Sequence, residues 1–264
     1  MSRAIQSKAV KPLRLLACAV LLLAAPVLRA AENKYDALAK LLMPFANLLA
    51  EHSRNPQRAV QLSARLESMS GLPAALAGAR AELALEYPDK LRLRAPVQGE
   101  MLTLCRRGQV LWVSPGRRAT ALLQAATADR KLPPADPQAR LAPFRLPVPE
   151  KQLVFLPALF RVEDGGRDVI GGQECRVLGL QLAPELERSL NAIGWSGRVW
   201  VGEKGALLRL IVEQPGWEIA VRFDRVEFSK SLPAATWQPG PEEAGDVLPL
   251  TPAQYGQLLP AFGR

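Results

Sequence analysis

Strict alternation of apolar and charged residues is the feature that most constrains this chain. It is clearest at residues 85–94, where Leu-Glu-Tyr is followed by a Pro-Asp turn and then by Lys-Leu-Arg-Leu-Arg. Successive side chains of a β-strand point to opposite sides, so the pattern predicts strands with one apolar and one charged face. A sheet of such strands must cover its apolar face, either with the protein's own core or with a bound ligand.

The same period of two recurs along most of the chain and predicts an α+β fold. We expect a single large, curved antiparallel β-sheet with a few helices covering its concave face. Tight turns such as Gln214-Pro215-Gly216 would separate the strands. The predicted strands are residues 83–87, 91–93, 101–105, 110–113, 119–123, 161–164, 175–182, 197–201, 207–213, 217–226 and 236–237.

Apolar residues spaced three and four positions apart predict helices outside the sheet. One helix is expected over residues 35–49 and a second over 56–69, with short helices at 151–160 and 252–259. The proline-rich residues 127–150 are unsuited to a helix interior or a central strand, and they predict an irregular surface segment. The segment 151–160 would act as a lid over the sheet.

The first thirty residues have the pattern of an export signal. A basic front is followed by a continuous apolar run from Leu15 to Leu28, and small residues come next at Ala30 and Ala31. We therefore predict a protein exported across one membrane, with a signal peptide at 1–30. Behind it we expect an N-terminal helical segment at 31–78 that packs on the sheet, the curved sheet at 79–238 and a tail at 239–264. Lipidation at Cys18, within a lipobox-like Leu-Leu-Ala-Cys, is the alternative to this cleavage.

Export also changes the charge of the mature protein. The chain has 34 Lys and Arg against 25 Asp and Glu. Removing Arg3, Lys8, Lys11, Arg14 and Arg29 with the signal leaves 29 basic residues and a net charge of +4. The remaining chain has no dense Lys/Arg run of the kind that follows a phosphate backbone, so we expect no nucleic-acid partner.

Two cysteines, Cys105 and Cys175, remain in the mature chain. In an oxidising compartment this pair predicts one disulfide, and two separate buried thiols are the alternative. The sole histidine, His52, gives no basis for a metal cluster or a Ser-His-Asp triad, and no G-x-S-x-G turn is present. We therefore expect no enzymatic activity, no metal and no cofactor.

Four stretches occur in an order that resembles a known superfamily. They are YPDKLR at 87–92, RGQVLWV at 107–113, VIGGQECRVL at 169–178 and RVWVGEKGALLR at 198–209. Together they resemble the periplasmic outer-membrane lipoprotein carrier (LolA/LolB-like) superfamily, in its broad branch rather than in the dedicated carriers. The resemblance covers roughly residues 80–238.

The resemblance implies a periplasmic protein whose strongly curved sheet forms a half-open barrel. It also implies an apolar cavity inside this sheet that takes the acyl chains of a lipid or a lipidated protein. The implied function is a carrier working towards the outer membrane, with a membrane-bound donor or acceptor as a further partner. An envelope sensor or protein-interaction module with the same fold is the alternative. For the arginine expected in a dedicated carrier's cavity, Arg92 and Arg94 are candidates, and two solvent-facing arginines are the competing interpretation. The predicted cavity residues are Leu83, Leu85, Leu93, Leu104, Trp112, Leu153, Phe155, Phe160, Val199, Val201, Leu210 and Phe223.

Overall fold

A computed structural model shows one open, entirely antiparallel sheet of eleven strands. The structure describes residues 33–50, 56–71, 77–97, 99–127, 140–144, 150–189 and 193–259. The order of the strands is β11-β5-β4-β3-β2-β1-β10-β9-β8-β7-β6, and the two end strands are not joined. The strands are β1 Ala59–Ser70, β2 Arg80–Glu86, β3 Lys90–Val97, β4 Glu100–Arg107, β5 Val110–Ser114, β6 Phe160–Ile170, β7 Gln173–Leu182, β8 Ser196–Val201, β9 Leu207–Gln214, β10 Trp217–Ser229 and β11 Leu248–Pro249.

The sheet consists of two meanders joined at their first and last strands. Strands β1 to β5 run consecutively towards one edge, and β6 to β10 return from the other edge until β10 pairs with β1. The predicted fold class, a single curved antiparallel sheet with helices on its concave face, is therefore confirmed. Four α-helices occur within the described ranges: α1 Lys34–Leu49, α2 Gly116–Thr127, α3 Pro184–Ser189 and α4 Pro252–Leu258.

The helices cover the concave face near its two ends. Helix α1 buries Ala37, Leu38 and Leu41 against β6 to β9, in a cluster with Val162, Leu178, Leu180, Val199 and Val201. Helices α2 and α4 pack against β3 to β5, where Ala119, Leu123, Tyr255 and Leu258 meet Val97, Leu102, Leu104, Leu111 and Val113. The middle of the concave face lies between these two clusters.

The convex face carries two apolar clusters, one of Cys175, Val177, Trp200, Ile211 and Ala220 on β7 to β10, and a second where residues 230–247 cross the sheet. There Trp237 and the half-buried Leu232 and Val247 pack on Ala84, Cys105 and Trp112. The buried carboxylate of Glu243 holds this crossing in place: it accepts hydrogen bonds from Arg92 Nη2 at 2.8 Å, Thr103 Oγ1 at 2.7 Å and the Gly240 amide at 2.8 Å. Each lone-pair direction of the buried carboxylate is thus used, as a buried charge requires.

The central strand β1, Ala59–Ser70, occupies most of residues 56–69, so the prediction of a helix there is wrong. The inward side chains of β1 are Val60, Leu62, Ala64 and Leu66, which is a period of two once Ala64 is counted as apolar. Partners on both sides of the strand satisfy its backbone groups, and tertiary pairing of this kind overrides a weak helical pattern.

Two predicted strands are helical in the structure. Residues 119–123 belong to α2, where Ala119 and Leu123, one helical turn apart, are both buried. Ala, Leu and Gln are also strong helix formers, which favours this outcome. Residues 236–237 end a short 3-10 helix, Ala234–Trp237. The predicted helices at 35–49, 151–160 and 252–259 are confirmed, the second as the 3-10 helix Glu150–Leu159.

The predicted disulfide between Cys105 and Cys175 is wrong, because both cysteines are free and buried. Cys105 is on β4 and Cys175 on β7, so six strands lie between them in the sheet. Each thiol contacts a backbone carbonyl in its own neighbourhood, Trp237 O for Cys105 and Asp168 O for Cys175. The signal peptide at 1–30, Cys18 and His52 lie outside the described residues. None of the described helices is long and apolar enough to cross a membrane.

Candidate functional site: an apolar trough on the concave face

The five middle strands of the sheet present an almost entirely apolar surface on the concave face. Cross-strand pairing assigns the inward positions of β3, β2, β1, β10 and β9 to Leu, Val, Ile, Ala or Phe, except for Met69, Trp217 and Gln214 at one end of β1, β10 and β9. The alternate positions face outward and carry most of the charge of these strands. We call the inward surface the trough: Leu62, Ala64, Leu66, Ala81, Leu83, Leu85, Leu91, Leu93, Leu210, Val212, Ile219, Val221, Phe223, Val226 and Phe228.

The trough has a continuous floor because its side chains lie directly opposite one another. Leu62 is paired with both Val226 and Leu83, and Leu83 is paired in turn with Leu93. The next row contains small residues, since Ala64 lies opposite Ala81. Two alanines side by side lower the floor of the trough at that point, next to the ring of Phe223 on β10.

The trough is less well covered than the two ends of the face. Leu62, Leu83, Leu93 and Val226 are half-buried and belong to none of the hydrophobic clusters among the described residues. By contrast, Leu104 and Val113, in the same cross-strand row under α2 and α4, are fully buried. Burial of apolar surface is favourable by about 25 cal/mol for each Å² removed from water. The trough therefore favours an apolar occupant.

Helix α1 forms one wall of the trough. The rings of Phe45 on α1 and Phe228 on β10 meet edge to face, with centroids 5.0 Å apart. Arg58, just before β1, donates hydrogen bonds to the Asn47 and Ala50 carbonyls at 3.1 Å and so caps the C-terminal end of the helix. A Cβ on Gly205, whose φ is +81°, would lie 2.9 Å from Lys40 O, so glycine permits the close approach of α1 at this point.

The opposite wall contains a buried arginine. Arg106 on β4 lies opposite Leu91 and donates to the Ala142 and Leu141 carbonyls at 2.7 and 3.2 Å. Its guanidinium also lies 4.6 Å from the ring centroid of Phe144. Burial lowers the pKa of Arg106. Residues 140–144 are the described part of the proline-rich segment, and Arg106 fixes them beside the trough.

Nine of the twelve predicted cavity residues are on the concave face. Leu83, Leu85, Leu93, Leu210 and Phe223 are half-buried in the trough. Val199 and Val201 lie beneath α1 and Leu104 beneath α2 and α4, so the protein's own helices cover them. Phe160 is half-buried against the α1 cluster.

The predicted lid lies on α1 and not directly on the sheet. Leu156 of the 3-10 helix packs against Ala46 and Ala50 of α1. Phe155 is 65% exposed, and the side chain of Leu153 is outside the described part of the chain. A lid formed by this segment would therefore reach the trough through α1.

Trp112 lies on the convex face, so its predicted place in the cavity is wrong. It pairs with Cys105, whereas its neighbour Val113 pairs with Leu104, so Trp112 is buried on the convex side under Trp237. Arg92 and Arg94 also point to the convex side, Arg92 opposite Cys105 and Arg94 opposite Thr103. Neither arginine is inside the trough. The face that each of these residues occupies depends on how β4 pairs with β3 and β5. The sequence of a single strand does not show that pairing.

Among the described residues, no group of three or more His, Cys, Asp or Glu side chains is arranged to hold a metal ion. Burial raises the pKa of the Cys105 thiol to about 12 and also raises that of Cys175. A nucleophilic cysteine needs a lowered pKa, so neither thiol is suited to that role.

Solved structures with a similar chain path include lipoproteins and one protein of the superfamily that the sequence motifs resemble. LppX from Mycobacterium tuberculosis is 10% identical, and the match covers 77% of this chain and 99% of LppX with a TM-score of 0.43. MucB is 12% identical over 78% of this chain and 64% of its own, with a TM-score of 0.39. A LolA superfamily protein from Nitrosomonas europaea is 13% identical over 76% and 97%, with a TM-score of 0.27.

No protein-family model matches the sequence, and neither does any curated protein. At the identities and TM-scores given above, the solved structures transfer no ligand and no site residue to this chain. The trough is therefore defined by this protein's own strand register.

Proposed function

We propose that the protein is a periplasmic carrier that shelters the acyl chains of a lipid or lipidated protein in the trough during transfer towards the outer membrane. The observation that carries the proposal is the apolar lining of the trough, half-buried between the walls formed by α1 and α2 with α4. The export-signal pattern at residues 1–30 supports the periplasmic location.

The energetics favour this use of the trough. An acyl chain in water gains about 0.8 kcal/mol for each CH₂ group that it buries, and a long chain needs an elongated apolar surface to gain that energy in full. The strands of the trough provide such a surface across the sheet. The protein would release its ligand when α1, held by Phe45 and by the cap from Arg58, shifts at a donor or acceptor membrane protein.

A pair of substitutions on neighbouring residues of β1 tests the proposal. Leu62→Lys introduces a charge on the trough floor, and Gln61→Lys introduces the same charge on the other side of the same strand. We expect the delipidated wild-type protein to bind a fluorescent C16 fatty acid saturably. Leu62→Lys should weaken that binding by at least about tenfold, because desolvating one ammonium costs more than 1.4 kcal/mol, and Gln61→Lys should leave it unchanged.

Two outcomes would contradict the proposal. One is a wild-type protein that does not bind the fatty acid, and the other is equal loss of binding in both lysine variants. If the purified protein instead retains a partner protein in the trough, its function is that of a sensor or interaction module and not of a lipid carrier. Mass spectrometry of the native protein distinguishes a bound lipid from a bound protein and shows whether the N-terminus is cleaved or lipidated at Cys18.

A further inference from the structure

The convex face carries a second cavity, and this one is basic. It has a volume of about 380 Å³ and is open on one side. Its floor is formed by β3, β2, β1 and β10, on the side of the sheet away from the trough. Four arginines line it, Arg80, Arg92, Arg94 and Arg225, together with a single carboxylate, Glu82. Neutral polar groups are also present at Gln61, Ser63 and Thr236.

Strand register brings these charges together. Ser63 on β1 lies opposite Glu82 on β2 and Arg225 on β10, and Glu82 lies opposite Arg94 on β3. One step along the strands, Gln61 is aligned with Ala84 and Arg92. The small side chain of Ala84 leaves room between the arginines. The cavity is thus a product of the sheet itself and not of a loop.

One arginine is fixed and two others are only loosely paired. Arg92 donates to both carboxylate oxygens of buried Glu243 at 2.8 Å and to Thr236 O at 3.1 Å. The closest carboxylate oxygen to Arg94 is that of Glu242 at 3.5 Å, and Glu242 is 86% exposed. The Nε of Arg80 donates a hydrogen bond to Ser63 Oγ at 3.0 Å and lies 3.9 Å from carboxylate oxygens of Glu82 and Asp224, and the Arg80 side chain is 55% exposed, with its terminal nitrogens outside these contacts. Exposed pairs at such distances contribute little, so Arg80 and Arg94 retain donors for a ligand.

The positive charge continues from the cavity along the convex face. Arg80, Arg65, Arg222 and Arg209 lie directly opposite one another on β2, β1, β10 and β9. Like charges in directly paired positions destabilise a sheet. Asp224 and Glu67 offset part of this charge, but within the described part of the chain Arg222 forms no ion pair. The row raises the positive potential at the mouth of the cavity.

We propose that this cavity binds a phosphate group, either as a free phosphorylated small molecule or as the headgroup of a phospholipid. The planar guanidinium groups of Arg80 and Arg94 would donate paired hydrogen bonds to phosphate oxygens, with Arg92 as the fixed edge of the site. Ser63 and Gln61 complete the polar lining. The arginines of this site are on the opposite face of the strands from the trough, although Leu62 and Leu83 of the trough also line the cavity.

The test compares two double variants that lose the same charge. Arg80→Gln/Arg94→Gln removes the two loosely paired arginines of the cavity, whereas Arg188→Gln/Arg198→Gln removes two exposed arginines elsewhere. The probes are inorganic phosphate, measured by calorimetry, and vesicles of phosphatidylcholine with or without phosphatidylglycerol, measured by co-sedimentation. We expect the first variant to weaken binding by at least about tenfold, because each lost charge-assisted hydrogen bond is worth on the order of a factor of ten. The second should change it by less than about twofold.

The outcomes separate the two sources of phosphate. Binding of inorganic phosphate identifies a small-molecule site, and binding of phosphatidylglycerol vesicles alone identifies a headgroup site. No binding of either probe, or equal weakening in both double variants, overturns the proposal. Gln61→Glu is a nearly isosteric second variant that places a negative charge in the cavity and should also weaken binding. Fatty-acid binding by Arg80→Gln/Arg94→Gln should be unchanged, which keeps this test separate from that of the carrier function.

Discussion

The ring of Phe45 on α1 contacts the ring of Phe228 on β10 edge to face, with centroids 5.0 Å apart. This contact joins the helix that covers one end of the concave face to a central strand that lies in the trough. Edge-to-face pairs contribute about 0.5–1.5 kcal/mol beyond the area they bury. The position of α1 over the trough therefore depends on this pair and on the cap that Arg58 provides.

Removing the Phe45 ring should loosen α1 without unfolding the sheet. We expect Phe45→Ala to lower the free energy of unfolding by about 2 kcal/mol, since the side chain is half-buried, and to speed the release of a bound fatty acid. Urea denaturation and stopped-flow displacement measure the two effects. Tyr35→Ala, at the exposed start of the same helix, is the control. Equal release rates in the two variants would contradict a gating role for α1.

Filling the low point of the trough should reduce the length of the fatty acid that the trough can bind. Ala81 lies opposite Ala64, and a phenylalanine at position 81 would occupy the space above both. We expect Ala81→Phe to weaken binding of a C16 fatty acid by about tenfold, because two or more CH₂ groups lose their contacts, and to affect a C8 fatty acid less. Titration of both chain lengths checks this, and equal losses for the two would argue against a continuous trough.

Glu243 should make stability depend on pH in the acidic range. Burial acts to raise the pKa of Glu243, but hydrogen bonds from Gly240, Thr103 and Arg92 outweigh it, so the pKa is below its ordinary value of 4.5. A lowered pKa stabilises the folded state fully above about pH 4.5, and that stabilisation is lost as the pH falls through the folded-state pKa.

The substitution Glu243→Gln isolates this contribution. We expect it to cost about 2 kcal/mol at pH 7, because charge-assisted hydrogen bonds are lost, and to remove part of the decline in melting temperature below pH 4.5. Thermal melts at several pH values measure both. Glu242→Gln is the control, since that side chain is 86% exposed. A wild-type and a Glu243→Gln protein with parallel pH profiles would show that Glu243 does not contribute to acid lability.

Both thiols should be present but protected in the folded protein. Cys105 is fully buried with a pKa of about 12, and Cys175 is 5% exposed with a raised pKa. We expect iodoacetamide to modify neither cysteine at pH 8 in the native state and both after denaturation without a reductant. Mass spectrometry counts the adducts. Two adducts that form only after reduction would demonstrate a disulfide.

The sequence pattern predicts the strands of the sheet, but it does not predict on which face of the sheet each residue lies. Alternation identified the strands from Leu83 to Val113 and from Arg161 to Val226, because a half-buried strand carries its own two-residue period. It missed β1, whose inward Ala64 weakens the pattern, and it placed Trp112 on the wrong face, because the register of β5 against β4 decides that position.

The cavity on the convex face could not be predicted from the sequence. Arg80, Arg94 and Arg225 are on three different strands, and they come together only because β1 lies between β2 and β10. The contacts of Arg106 were equally unpredictable. This charged residue is at an inward position of β4, and its partners at 141 and 142 are distant in the chain. Contacts of this range depend on topology, which a local pattern does not encode.

The pairing of Ala59 with Ser229 has a consequence for biogenesis. During synthesis, β1 can pair with β2 soon after both emerge, but its other edge stays unpaired until β10 is complete. An exposed edge of this kind is a template for pairing with other chains. The interval between the emergence of these two strands is therefore the period in which the nascent protein is most vulnerable to aggregation and has most need of a chaperone.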